Sequence, residues 1–206
     1  MQPPLGHADD AASASAAARR GAPEQRHVVL VGLPAVGKST IGRRLAKHLG
    51  RPFHDTDAVV EQLAGCTIAS IFEHDGEPGF RDLEAQALAE IALRPAASVI
   101  ATGGGIVTDA RCRAVLLEHT FTVYLRSPPL DLLERLRRNN RRPLFRTGDL
   151  ETRICELHRQ RDPLYGAVAS FSVDVSGRPT ASVVEAIAAR VLELEHSFLQ
   201  EQDTRR

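Results

Sequence analysis

Between residues 27 and 175 the chain alternates short, uninterrupted apolar runs with longer segments in which apolar residues recur every three or four positions. His27–Val31 (HVVLV), Ala97–Ala101 (ASVIA), Phe121–Leu125 (FTVYL) and Phe171–Val175 (FSVDV) are rich in β-branched or aromatic residues and too short for stable helices. All four read as strands, the first two buried, with Pro52–His54 a briefer fifth. Helical spacing is found at Ile41–Leu49, Asp57–Ala64, Thr67–His74 and Phe80–Leu93, where Pro95 stops the last of these. It returns at Asp109–His119, Pro129–Asn139, Leu150–Arg161 and Thr180–Phe198, with a polar loop over Asn140–Gly148. Apolar strands alternating with helices predict an α/β fold, a parallel sheet covered on both faces. Right-handed crossovers then bring every strand's C-terminal end, and the loop after it, to one edge of that sheet. No internal repeat and no second domain is visible. The pattern predicts a tail at 1–25, one domain over 26–197, and a short tail at 198–206.

The loop between the first strand and the first helix carries the most specific motif. Gly32-Leu-Pro-Ala-Val-Gly37-Lys38-Ser39-Thr40 fits G-x-x-x-x-G-K-[ST], the P-loop. A strand, a tight loop and a helix start leave backbone N–H groups aimed at one point, which makes an anion site. The expected nucleotide cradle is the segment Ala35, Val36, Gly37, Lys38, Ser39 and Thr40. Lys38 would reach the β- and γ-phosphates, and the Ser39 hydroxyl would ligate Mg²⁺. A glycine-rich turn without a ligand requires neither the lysine nor the Ser-Thr pair. Ala35 stands where many such loops carry glycine, and its Cβ restricts φ.

Composition narrows the rest. Acidic and basic residues number 26 each, so no net charge draws the chain to nucleic acid or to an anionic membrane surface. Lysine occurs only at positions 38 and 47. Three cysteines without C-x-x-C spacing argue against a disulfide framework or a zinc site, and favour a reducing compartment, the cytoplasm. No apolar stretch is long enough for a membrane span. Residues 1–25 are rich in Ala, Ser and Pro, read as disordered, and match neither a secretory nor a plastid targeting segment.

The remaining candidate chemistry falls on the loops of the P-loop edge. Asp55-Thr56-Asp57 ends the second strand; Asp55 suits a hydrated Mg²⁺, and Asp57 suits proton abstraction from an attacking hydroxyl. An N-cap is the plainer reading of Asp57. In Gly76-Glu-Pro-Gly-Phe80-Arg81-Asp-Leu-Glu84, Arg81 and Glu84 share a helical face, so Glu84 can fix a guanidinium fork offered to a carboxylate; an ordinary surface ion pair is the alternative. Gly103-Gly104-Gly105 would let a small ligand approach bare backbone, or would be a flexible turn. Six arginines lie between Arg135 and Arg146. They read as a lid in which Arg142 neutralises transferring phosphate, or in part as a solvated basic face. Arg161-Asp-Pro-Leu-Tyr165 offers a second arginine, just after a helix, as partner for Arg81.

Taken in order, the P-loop, D-T-D, G-E-x-x-F-R-x-x-E, G-G-G, R-P-L and R-x-P-L-Y resemble the shikimate kinase family across roughly residues 26–195. The resemblance implies a three-layer P-loop fold with a five-stranded parallel sheet, strand order 2-3-1-4-5, flanked by helices and carrying a short lid. It implies transfer of the γ-phosphate of MgATP to the 3-hydroxyl of shikimate, on the route to chorismate and the aromatic amino acids; a monomer acting on small molecules is the expectation. On the matching positions, Asp57 would bind shikimate and act as base, with Arg81 and Arg161 clamping the carboxylate. Gly103, Gly104 and Gly105 would contact the ring hydroxyls, and Ser39 and Asp55 would serve Mg²⁺. Lys38 and Arg142 would stabilise the transferring phosphoryl group, Arg135 and Arg178 would lie by the nucleotide, and Phe72 and Phe80 would wall the pocket. The chain departs from the family pattern at Pro34-Ala35-Val36. Gluconate kinase shares the fold, and a nucleotide-binding regulator without catalysis could use it as well; the Arg81–Glu84 and Arg161–Tyr165 pairings favour shikimate.

Overall fold

The computed structural model describes residues 26–138 and 149–204. The first apolar run forms strand β1 (His27–Val31), and all five of its residues are buried. They are buried on both faces because β1 is central. With β2 (Phe53–Asp55), β3 (Val99–Ala101), β4 (Thr120–Arg126) and β5 (Phe171–Asp174) it makes a sheet in the order β2-β3-β1-β4-β5, and every neighbouring pair is parallel. Val29 lies opposite Ile100 on one side and Thr122 on the other. The helices are α1 (Lys38–Leu49), α2 (Thr56–Ala64), α3 (Ile68–His74), α4 (Gly76–Ala92), α5 (Ala110–His119), α6 (Pro129–Arg138), α7 (Leu150–Val168) and α8 (Thr180–Thr204). Helix α1 packs on α8, α4 on α2, α3 and α5, and α6 on α7. Leu30, Leu45, Leu88, Ile100, Leu116 and Ile187 are fully buried between these layers. The expected strand order and the helix-covered parallel sheet are both present. Among the described residues, no helix is long and apolar enough to cross a membrane.

Most boundaries shift by a few residues from the sequence reading, and four differences bear on the fold or the site. Helix α4 starts at Gly76, not Phe80. Pro78 falls in its first turn, where the missing N–H would have had no intrahelical partner. Helix α7 does not stop at Arg161 but runs to Val168 through Pro163, so Arg161 lies inside a helix. A proline there costs about 3 kcal/mol. The last turns are held in place by a fully buried Tyr165, which stacks on Tyr124 at 4.9 Å, and by Tyr124 donating to Asp162 at 2.7 Å. Residues Ile106–Thr108 form a 3-10 turn that periodicity could not reveal. Helix α8 continues past Phe198 to Thr204, and its C-terminal half docks. Arg51 Nη2 donates to both Glu195 oxygens at 2.7 and 2.8 Å, and the Arg26 guanidinium lies 4.6 Å above the Phe198 ring. The expected N-terminal tail and the expected lid loop, with Arg141, Arg142 and Arg146, lie outside the described residues.

His27, at the edge opposite the P-loop, ties β1 to its neighbours. Nδ1 accepts from the Ser98 amide at 3.1 Å, and Nε2 donates to Arg94 O at 3.2 Å. These partners select the neutral ring. Burial, with lesser repulsion from Arg51 and Arg94, lowers its pKa below the ordinary value of 6.5.

Candidate active site

Three residues at positive φ curl the P-loop: Gly32 at 143°, Ala35 at 65° and Gly37 at 105°. A Cβ on Gly32 would lie 2.7 Å from Leu125 O, so no side chain fits there. Ala35 is an L-residue in the left-handed region, at a cost of about 1–2 kcal/mol. Gly37 offers α1 no side-chain cap, so the first-turn amides of α1 face the loop. Lys38 is buried and donates from Nζ to Gly32 O at 2.8 Å and to Leu33 O at 2.9 Å, which lays its ammonium along the loop. Ser39 Oγ donates to Asp55 Oδ2 at 2.7 Å. This bond joins the start of α1 to the end of β2 and sets a hydroxyl beside a carboxylate.

Asp55 is also the N-cap of α2, accepting from the Asp57 amide at 3.3 Å. The cap considered for Asp57 therefore belongs to Asp55, and Asp57 occupies the first turn of α2. Because β2 lies beside β3, that turn faces the loop leaving β3. Gly103 N donates to the fully buried Thr56 Oγ1 at 3.0 Å. A methyl on Gly103 would lie 2.4 Å from Glu84 Oε1 and 3.1 Å from Asp57 Oδ1. A methyl on Gly105 would lie 2.3 Å from Arg81 Nη1. Gly104 O accepts from Arg161 Nη1 at 3.0 Å and from the Tyr165 hydroxyl. The three glycines are thus the floor around which Asp57, Arg81, Glu84 and Arg161 gather. Side chains and hydrogen bonds hold the turn at each of the three glycines, contrary to the flexible-turn alternative.

Arg81 and Glu84 are not a surface pair. Arg81 Nη1 donates to Glu84 Oε2 at 2.6 Å, with the Glu84 side chain 1% exposed, and Nη2 donates to Glu77 at 2.9 Å. Burial pushes the Glu84 carboxyl above the ordinary glutamate range, with Asp57 adding to the push; Arg81 and then Arg161 offset part of it. Burial works against the Arg81 cation too, but Glu84 and Glu77 together outweigh it and raise its pKa. Glu84 Oε1 is buried against Gly103 and has no hydrogen-bond partner among the described residues. The Phe72 and Phe80 rings stack at 4.8 Å beside this cluster, Phe80 buried and Phe72 half-exposed.

On the other side of the P-loop a cleft of about 220 Å³ is lined by Val36, Gly37, Thr40, Arg135, Val175 and Arg178. Arg135 reaches Val36 O and Val175 O, both at 3.4 Å, bridging the P-loop and the end of β5. Arg178 is exposed and leans on Asp174 O and Ser182. Every candidate site residue within the described segments therefore lies at the C-terminal edge of the sheet, in two groups, with Arg142 outside those segments. Sequence reasoning missed Thr56, the Tyr165 bond to Gly104 and the contact of Pro34 with Gly104. Thr56 was visible only as the middle residue of D-T-D.

A family model described as shikimate kinase matches residues 34–192. The shikimate kinase of Ralstonia nicotianae is 44% identical over 156 residues, spanning 76% of this chain and 81% of that protein. Shikimate kinase from Acinetobacter baumannii, solved in complex with shikimate, superposes with a TM-score of 0.77 at 38% identity, covering 82% of this chain and 93% of that one. A gluconokinase from Sinorhizobium meliloti reaches a TM-score of 0.56 at 20% identity, over 86% of this chain and 98% of that one, which speaks for a common fold alone. With 44% identity spread over most of a relative's length and a family match that includes the acceptor cluster, this chain belongs to the shikimate kinase family.

Proposed function

We infer that this protein transfers the γ-phosphoryl group of ATP to the 3-hydroxyl of shikimate, giving 3-phosphoshikimate and ADP, in the cytoplasmic route to aromatic amino acids. The observation that carries this reading is the convergence of two guanidinium groups and two carboxylates on the Gly103–Gly105 backbone, directly beside the P-loop. An anionic polyol requires such a set: forks for its carboxylate, acceptors and bare amides for its hydroxyls.

In this reading Arg81 and Arg161 hold the carboxylate of shikimate and so orient its ring. Glu84 keeps the Arg81 fork in one plane. Asp57 accepts the proton of the attacking hydroxyl as that oxygen bonds to the γ-phosphorus and the bond to the β-phosphate oxygen breaks. Lys38 would leave the loop carbonyls for the phosphate oxygens, and Arg142 would add a second cation there. Ser39 and Asp55 supply the adjacent hard oxygen donors that suit Mg²⁺, which would neutralise phosphate charge. Arg135 and Arg178 would border the base and sugar of the nucleotide in the neighbouring cleft. Positioning and electrostatics would supply most of the rate.

A coupled assay of ADP release, run on the full chain with MgATP and either shikimate or gluconate, tests the reading. Turnover should require shikimate. Turnover on gluconate alone would move the assignment to the other sugar-acid kinase, and tight binding of both substrates without ADP release would favour a regulator.

A further inference from the structure

The nucleotide loop and the acceptor cluster meet at Pro34 and Gly104. A methyl on Gly104 would lie 3.0 Å from Pro34 Cδ, 3.2 Å from its Cγ and 3.3 Å from its backbone nitrogen. The pyrrolidine ring therefore rests on the Gly104 α-carbon, and only glycine lets it come so close. The carbonyl of the same residue holds Arg161 and Tyr165. Tyr165 is fully buried and stacked on Tyr124, so this side of Gly104 has little freedom to give way.

The residues flanking Pro34 belong to the phosphate cradle. Leu33 O takes Lys38 Nζ at 2.9 Å, and Ala35 carries the strained φ of 65°. A proline ring fixes its own φ near −65°, so Pro34 has one backbone torsion fewer with which to absorb a shift of the loop. Much of it is therefore passed to Gly104 through the ring contact, or taken up at Ala35, which is already strained. A change at the phosphate cradle and a change at the Arg161 anchor thus act on one contact.

We propose that Pro34 is a positioning residue that couples the two half-sites, so that a nucleotide on the Ala35–Thr40 cradle and a carboxylate on Arg161 raise each other's affinity through the Pro34–Gly104 contact. This rests on the function inferred above. By linkage the factor must be the same in both directions, and couplings of this kind are about 5-fold to 150-fold.

The test is calorimetric titration of the full chain, wild type, Pro34→Ala and Pro34→Gly, with shikimate alone and with shikimate in the presence of saturating MgADP. The reverse titration, MgADP with and without shikimate, checks reciprocity. In the wild type, MgADP should lower the shikimate Kd by about fivefold or more. Both variants should lose at least about threefold of that ratio, Pro34→Gly the more. General loosening of the loop would weaken each ligand yet leave the ratio standing, which would overturn the proposal. So would a wild-type ratio near one. If one variant fails to fold, the other decides. Wild-type turnover is measured first: its absence would overturn the inferred function, whereas turnover with independent affinities would overturn only the coupling.

Discussion

Gly105→Ala places a methyl where the Arg81 guanidinium now lies, 2.3 Å from Nη1 and 2.4 Å from Nη2. Gly105 sits at φ −96° and ψ −5°, a conformation alanine adopts without strain, so only the space is at issue. Non-bonded heavy atoms settle at about 3.5 Å, so the guanidinium must retreat by roughly 1 Å. It is the far end of a flexible side chain, and the stability cost should be that of modest overpacking, about 1–3 kcal/mol, or a fall in Tm of roughly 2–10 °C. The acceptor should lose one charge-assisted fork, worth about 1.5–3 kcal/mol. That is about 10-fold to 150-fold in the KM for shikimate. The KM for ATP, measured at saturating shikimate, should change by less than about twofold, since the P-loop meets the acceptor cluster at Gly104, through Pro34. Steady-state ADP release, with each substrate varied in turn, separates the two constants. A shikimate KM within about twofold of wild type would refute the placement of Arg81 against the acceptor carboxylate.

Asp57→Asn should lower kcat by on the order of 10²-fold or more while the thermal midpoint moves little, as for a lost general base; a near-wild-type rate removes Asp57 from that role. Arg81→Lys should raise the shikimate KM and leave that of ATP, because an ammonium cannot reproduce the bidentate fork, and equal KM values would count against the clamp. Ala35→Gly should relieve the left-handed backbone against a smaller entropic cost, for a net gain of up to about 1 kcal/mol; a lower Tm would contradict the strain. His27 has a lowered folded pKa, so its contribution to stability is present above 6.5 and is lost as pH falls through the folded value. His27→Asn should therefore lose less stability between pH 7 and pH 5 than the wild type, read by denaturant titration at each pH, and parallel curves would exclude His27 as a source of the acid sensitivity.

What could be read from the chain was local in sequence. The P-loop is legible because strand, glycines, lysine and helix start are contiguous, and the β-branched runs announce a sheet on their own. Asp57, Arg81 and the three glycines could be named one by one. Their gathering depends on β2 lying beside β3, an order that came from family resemblance and not from periodicity. Contacts between distant segments left no trace in the pattern: Thr56 beneath Gly103, Tyr165 on Gly104, Pro34 against the same glycine. Pro163 misled because a local rule, proline ending a helix, is overridden by the buried Tyr165 and the Tyr124–Asp162 bond. Pro78 hid the start of α4 in the same way, since a first-turn proline looks like a break when read from the sequence.

The central claim is that phosphate cradle and carboxylate clamp serve one reaction across the Gly103–Gly105 floor. A crystal structure of the full chain with MgADP and shikimate tests it most directly. The account predicts the shikimate carboxylate on both Arg81 and Arg161, a ring hydroxyl within about 3 Å of an Asp57 oxygen, and Lys38 turned to the nucleotide phosphates. A carboxylate bound away from both arginines, or a hydroxyl that faces away from Asp57 and the phosphates, would contradict it.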